Sequence, residues 1–207
     1  FSVAKRWAPN LTMDVAPDPV WQLPQKEWVG GGSIVLSWRP TPLLNSLGWR
    51  CLLEALAAVA DQLDAPVCWL AFHQEQDAPL LPSLREQKLI PENLLHRSHT
   101  VVPTELSTVF EQVRTARLVI PMRLHALVLA RLAGCPIAAL SYDPKVEAAA
   151  DMAGIPWLPL AQLPDSATLA EQWNETADQP PFKDGIETIR RDVSRHGQRL
   201  RQALQLL

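Results

Sequence analysis

Apolar residues along this chain fall into two alternating kinds of segment. Short, almost unbroken apolar runs occur at Ser33-Ile-Val-Leu-Ser37, Pro66-Val-Cys-Trp-Leu-Ala-Phe72, Thr100-Val-Val102, Leu118-Val-Ile120, Pro136-Ile-Ala-Ala-Leu140 and Ile155–Leu158, and each has the length of a buried strand. Between them apolar positions recur at helical spacing. Leu47, Cys51, Leu52, Leu56, Val59 and Leu63 mark a helix over Leu44–Leu63, and Leu124, Leu127, Val128 and Leu132 mark another that stops at Gly134. Further helices are predicted over about Leu81–Leu89, Thr104–Ala116 with Thr104 as N-cap, Lys145–Met152, Ser166–Thr176 and a long terminal Ile186–Leu206. Gln74–Pro79 reads as a polar loop. Apolar strands alternating with helices predict an α/β, Rossmann-like fold: a parallel sheet with helices on both faces. Right-handed crossovers then gather the strand C-termini on one edge, with the turns after Ser37, Phe72, Val102, Ile120 and Leu140.

The first 32 residues have a different texture. Ser2–Trp7 reads as the end of a helix, Asp14–Pro24 as an extended connector set by Pro17, Pro19 and Pro24, and Gly30-Gly-Gly32 as a flexible hinge. The chain opens on Phe1 instead of Met. Residues 1–24 are therefore expected to be the tail and linker of an N-terminal domain that precedes them. Residues 25–207 are expected to form one C-terminal domain that includes the terminal helix.

The turn after Leu118-Val-Ile120 carries an electrostatic oddity. Arg123 and His125 fall in the first turn of the following helix, where the helix dipole disfavours cations by a few tenths of a kcal/mol or more. Two readings are open: a long Arg side chain turned back to solvent, or an anion held at the helix N-terminus. Other turns on the same edge add Trp38 and Arg39, His73 and Asp77, and Lys145. Arg39, Arg123, His125 and Lys145 suit a small ligand with phosphate and carboxylate groups, since Arg offers a two-pronged fork to either. His125 is the proton donor among them that works near neutral pH. Trp38 is a candidate to stack on a sugar. His73 and Asp77 are candidate acceptor contacts or simply a solvated polar loop.

Composition narrows the classes. Of 207 residues, 47% are hydrophobic and 20% charged, as in an ordinary globular protein. The net charge of -3 without a long basic run argues against nucleic-acid binding. Cys51, Cys68 and Cys135 are scattered in apolar contexts and read as reduced core residues of a cytoplasmic protein. No apolar run reaches a membrane span, and no metal site is expected. No Gly-x-Gly-x-x-Gly, phosphate-binding P-loop, His-Glu-x-x-His or Gly-x-Ser-x-Gly motif appears, and Gly30-Gly-Gly32 precedes its strand instead of following it.

Several stretches, taken in order, resemble the polysaccharide pyruvyl transferases, especially those acting on bacterial cell-wall polymers. They are Pro17-Asp-Pro-Val-Trp21, Leu36-Ser-Trp-Arg-Pro40, Met122-Arg-Leu-His-Ala-Leu-Val-Leu-Ala130, Ala133-Gly-Cys-Pro136 and Leu140-Ser-Tyr-Asp-Pro-Lys-Val146. The likeness spans most of Val15–Gly154. It implies the C-terminal half of a glycosyltransferase-B-like two-domain enzyme, moving pyruvate from phosphoenolpyruvate onto two hydroxyls of a carrier-linked sugar as a cyclic ketal, without a cofactor. The residues matching that family's donor site are Arg39, Arg123, Leu124 and His125. A lipid-linked acceptor would bring the enzyme to the inner face of the membrane as a peripheral protein. Two rivals remain. A nucleotide-sugar glycosyltransferase of the same architecture would use an acidic residue near the Leu140 turn, with Asp143 and Glu147 as candidates. A non-catalytic module would leave Arg123 and His125 pointing away from any crevice.

Overall fold

The computed structural model describes residues 6–7, 16–182 and 185–204, with backbone alone at 200 and 203. The expected helix end Ser2–Trp7 and the first residues of the connector lie outside this range, apart from Arg6 and Trp7. The chain divides into two compact units: Leu23–Lys183, and the described parts of 1–22 with 184–207.

In the larger unit four strands, β1 (Ile34–Ser37), β2 (Val67–Leu70), β3 (Ser98–Val101) and β4 (Leu118–Pro121), form a parallel sheet in the order β3-β2-β1-β4. Two more, β5 (Ala139–Ser141) and β6 (Trp157–Pro159), pair in parallel with each other. A parallel bridge between Val119 and Ile137 places the chain entering β5 beside β4. The full order is thus β3-β2-β1-β4-β5-β6, the doubly wound arrangement, which reverses between β1 and β4. Every residue of β1, β2 and β4 is buried, which explains their unbroken apolar runs. β3 is an edge strand, and its two central residues, His99 and Thr100, are exposed.

Helices α1 (Ser46–Gln62), α2 (Gln74–Asp77), α3 (Leu80–Glu86), α4 (Glu92–Arg97), α5 (Leu106–Thr115), α6 (Leu124–Leu132), α7 (Pro144–Ala153) and α8 (Ser166–Ala177) connect and cover the strands. Ile34, Leu36, Val67, Trp69, Leu118 and Ile120 share one buried cluster with Leu52, Leu56, Leu84, Leu94, Leu169 and Trp173 from α1, α3, α4 and α8. The alternate strand residues Val35, Cys68 and Val119 point to the other face, which α5, α6 and α7 cover.

Several local expectations change. Trp38 is 2% exposed, its indole N–H donates to the Ile120 carbonyl at 2.9 Å, and it packs edge-on against Trp69 at 5.6 Å. It belongs to the core and is not available to stack on a sugar. Gly30-Gly-Gly32 is a pinned turn and not a free hinge: the N–H groups of Gly30 and Gly32 donate to the Arg114 and Thr115 carbonyls. A side chain at Gly32 would meet the Thr115 carbonyl oxygen at 2.5 Å, so close packing holds that glycine. Glu105, not Thr104, stands at the N-cap position of α5, and its side chain makes no capping bond. The polar loop after β2 contains the helical turn α2, and the short α4 has no counterpart in the sequence reading.

In the smaller unit the connector is not wholly extended. Pro19–Gln22 forms a 3-10 turn with buried Trp21. The long α9 (Glu187–Leu204) is held to it by Arg190, whose Nε donates to the Trp21 carbonyl, while Gln22 Nε2 donates to the Arg190 carbonyl. Among the described residues no helix is long and apolar enough to cross a membrane.

Candidate functional site

The C-terminal edge of the sheet is where an open parallel sheet binds ligands, outside the point at which the strand order reverses. A cavity of 310 Å³ lies there. The turn after β2 contributes Phe72 and His73, the turn after β4 contributes Arg123, Leu124 and His125, and the turn after β5 contributes Tyr142, Asp143, Lys145 and Val146. Larger surface depressions of 590 and 820 Å³ sit along the Leu23–Glu27 strap and beside the start of β3. Neither is at the strand C-termini, so the smaller cavity is the site that the topology favours.

Arg123 is the N-cap of α6, with extended backbone and no capping bond from its side chain. Its guanidinium turns to Asp77, not to solvent. Nε donates to Asp77 Oδ2 at 2.8 Å, and Nη2 donates to the other carboxylate oxygen and to Gln76 Oε1. Arg123 is 18% exposed and Asp77 2%. The anion that offsets the cation at the helix start is therefore, first of all, part of the chain. Asp77 is a counter-ion and not an acceptor contact, and the two-pronged face of Arg123 is already occupied. Among the described residues Nη1 of Arg123 carries no hydrogen bond, and Arg123 lines the cavity.

Asp77 also fixes its own turn. Oδ2 accepts the backbone N–H of His73 at 2.8 Å, and the His73 carbonyl accepts the N–H groups of Gln76 and Asp77. His73 is thus anchored by its backbone while its ring, exposed and free of a capping bond, lies on the cavity wall.

On the opposite wall Asp143 caps α7, accepting the Lys145 N–H at 2.9 Å, with Pro144 at the first helical position. Glu147 accepts from Ser141 Oγ at 2.9 Å. The two acidic residues near the Leu140 turn therefore both have local structural partners. Lys145 is exposed at the rim. Arg39 does not line the cavity itself. It reaches the edge through Tyr142, donating to the phenol oxygen at 3.2 Å and lying 5.2 Å from the ring centroid.

Of the eight residues singled out from the sequence, His73, Arg123, Leu124, His125 and Lys145 line one cavity. Asp77 lies beneath it, Arg39 joins through an intermediary, and Trp38 is in the core. Tyr142 is the participant that spacing missed. The visible signal was a lone tyrosine just after a buried strand and before an Asp-Pro helix start. Among the described residues no group of three or more His, Cys, Asp or Glu side chains is placed to hold a metal ion.

No protein-family model matches the chain, and no curated protein matches it either. Solved structures do. A Listeria monocytogenes protein described as a UDP-N-acetylglucosamine 2-epimerase aligns with 95% of this chain and 50% of its own, at 13% identity and a TM-score of 0.53. The glycosyltransferase of kitacinnamycin aligns over 90% of this chain and 44% of its own, at 18% identity and 0.49. An O-GlcNAc transferase from Thermobaculum terrenum aligns over 90% and 35%, at 14% identity and 0.48. The chain spans half or less of each of these proteins. The fold, a Rossmann-like parallel sheet with helices on both faces, is shared with about half of the Listeria monocytogenes protein. At these identities the likeness speaks to fold alone.

Proposed function

We propose that this chain is the donor-binding half of a sugar-modifying transferase, and that its donor is phosphoenolpyruvate. The observation that carries the reading is the convergence of His125, Lys145 and Arg123 on one 310 Å³ cavity at the N-terminus of α6. Ligand pockets run from roughly 300 to 1,000 Å³, so this one suits a small anion better than a nucleoside diphosphate sugar. The dipole of the α6 N-terminus favours a phosphate, and Lys145 and Nη1 of Arg123 add charge to it. Arg39, held by Tyr142, borders the same edge and suits the carboxylate.

Ketal formation needs the methylene carbon of the donor protonated, so that its central carbon becomes electrophilic. His125, exposed on the cavity wall at the second helical position, is assigned that proton. Two sugar hydroxyls then bond to the central carbon in turn, and the carbon–oxygen bond to phosphate breaks. Two hydroxyl protons leave the sugar; one proton ends on the new methyl group and one on the departing phosphate.

A second reading is favoured by the structural comparison. The neighbour from Listeria monocytogenes is described as acting on a UDP-sugar, so a nucleotide sugar is the alternative ligand for this edge. Thermal-shift titration of the full-length protein with phosphoenolpyruvate and with UDP- and dTDP-sugars separates the two, followed by phosphate release from phosphoenolpyruvate with carrier-linked sugars. Stabilisation by nucleotide sugars alone, with no phosphate release, would refute the first reading.

A further inference from the structure

We infer that His73 is the catalytic base of this site, taking the proton of the attacking sugar hydroxyl. The inference rests on the pyruvyl-transfer reading and adds to it the group that activates the acceptor. Three observations meet at this residue. His73 lines the same cavity as His125 but comes from a different strand, so two imidazoles border one small space. Among the described residues its ring has no hydrogen-bond or ionic partner, so both ring nitrogens are available. Its backbone, by contrast, is held at both ends: the N–H by Asp77 Oδ2 at 2.8 Å, and the carbonyl by the N–H groups of Asp77 and Gln76 at 2.8 and 3.1 Å. Asp77 is in turn fixed by Arg123, which stands two positions before His125 in sequence. The ion pair thus sets the two imidazole-bearing turns in a fixed relation, as an acid and a base acting on one substrate require.

The proton balance closes with these two groups. His125 gives its proton to the donor methylene. His73 takes the proton of the first hydroxyl as its oxygen bonds to the central carbon. The second hydroxyl then adds as the carbon–phosphate oxygen bond breaks; the phosphate leaves with the bonding pair and takes the proton from His73. The proton of the second hydroxyl restores His125. The charged and titratable groups around His73 are Glu75 and Asp77 on its own turn, Arg123 and His125 from the β4 turn, and Tyr142, Asp143 and Lys145 from the β5 turn.

The test is steady-state phosphate release by full-length His73→Gln and His73→Ala proteins as a function of pH, with phosphoenolpyruvate affinity measured separately by calorimetry. Loss of a general base should lower kcat by roughly 10²–10⁴-fold with donor affinity unchanged. The acidic limb of the wild-type pH profile, produced by protonation of the base, should vanish in both variants. Added imidazole should restore part of the His73→Ala rate. The Gln variant keeps the backbone bonds to Asp77 and guards against local disorder of the turn. Near-wild-type rates, a loss that tracks weakened donor binding, or an acidic limb that survives in the variants would each overturn the inference. A wild type that neither binds nor turns over phosphoenolpyruvate identifies the donor reading as the failure, and the inference falls with it.

Discussion

Breaking the Arg123–Asp77 pair should cost very different amounts depending on which partner is removed. Replacing Arg123 with Met leaves a carboxylate that is 2% exposed without its counter-ion. An uncompensated buried charge of this kind costs about 3–5 kcal/mol. Replacing Asp77 with Asn leaves a guanidinium that is 18% exposed and can turn to water, while the amide still accepts one N–H. That change should cost about 1–3 kcal/mol, the scale of a lost charged hydrogen bond. The dipole penalty for a cation at the α6 N-terminus is about 0.3–1 kcal/mol, so relief of it by Arg123→Met cannot offset the orphaned carboxylate. The double variant Arg123→Met with Asp77→Leu removes both charges and should be more stable than Arg123→Met alone. Urea unfolding followed by tryptophan fluorescence measures this. With a slope of about 2 kcal/mol/M, Arg123→Met should lower the midpoint by about 1.5–2.5 M. Equal, small losses for both single variants, or a double variant no more stable than Arg123→Met alone, would refute the buried pair.

Other expectations can be checked directly. His125→Ala should lower phosphate release by roughly 10²–10⁴-fold while the thermal shift with phosphoenolpyruvate persists. Trp38→Ala should cost about 3–5 kcal/mol in urea unfolding, because a core indole is removed, not a ligand contact; a stable variant with weakened sugar binding would contradict its burial. Burial pushes the Cys68 thiol up to about 12 and also raises Cys135 and, mainly by desolvation, the half-buried Cys51. Thiol reagents at pH 8 should therefore label the folded protein slowly and only at Cys51, and all three cysteines once it is unfolded. A folded thiol that ionises later than the unfolded one also means that stability falls as pH rises from about 9 to 12, which pH-dependent urea midpoints would show.

Strand identity was readable because β1, β2 and β4 are buried on both faces and leave continuous apolar runs. Their order was not readable, because crossover handedness fixes only which edge carries the strand C-termini; the order β3-β2-β1-β4 comes from the backbone pairing. The edges were harder. β3 begins at Ser98 in a polar stretch, since an edge strand has fewer residues to bury, and only the backbone pairing of Val67 with Ser98 reveals the register. Likewise α2 has no apolar periodicity at all. Its one buried residue is Asp77, and a hydropathy pattern cannot see a position that is buried by an ion pair. Gly30-Gly-Gly32 misled for a related reason. Glycine is read as freedom, but Gly32 is there because the Thr115 carbonyl lies where a side chain would be.

The same asymmetry governs the site. Residue type and helix spacing identified the cations, because a basic residue at a helix N-terminus is unfavourable by itself and asks for an anion. They could not identify the anion, because Asp77 lies 46 positions away and meets Arg123 only when the β2 and β4 turns come together. Finding that partner changes what the cluster can do. A free Arg123 would be a two-pronged clamp for a ligand carboxylate or phosphate. An Arg123 whose fork is spent on Asp77 offers one remaining end, and its larger effect is to hold the His73 turn against the start of α6. In the proposed mechanism, charge toward a donor then falls mainly to Lys145 and the helix N-terminus, and proton transfer to the two imidazoles. The physical consequence is testable in kinetics: Asp77→Asn, which leaves every cation in place, should raise the KM for phosphoenolpyruvate little and depress kcat more, because it loosens the geometry between His73 and His125 without removing donor charge. A pure KM effect would return Arg123 to the role of clamp.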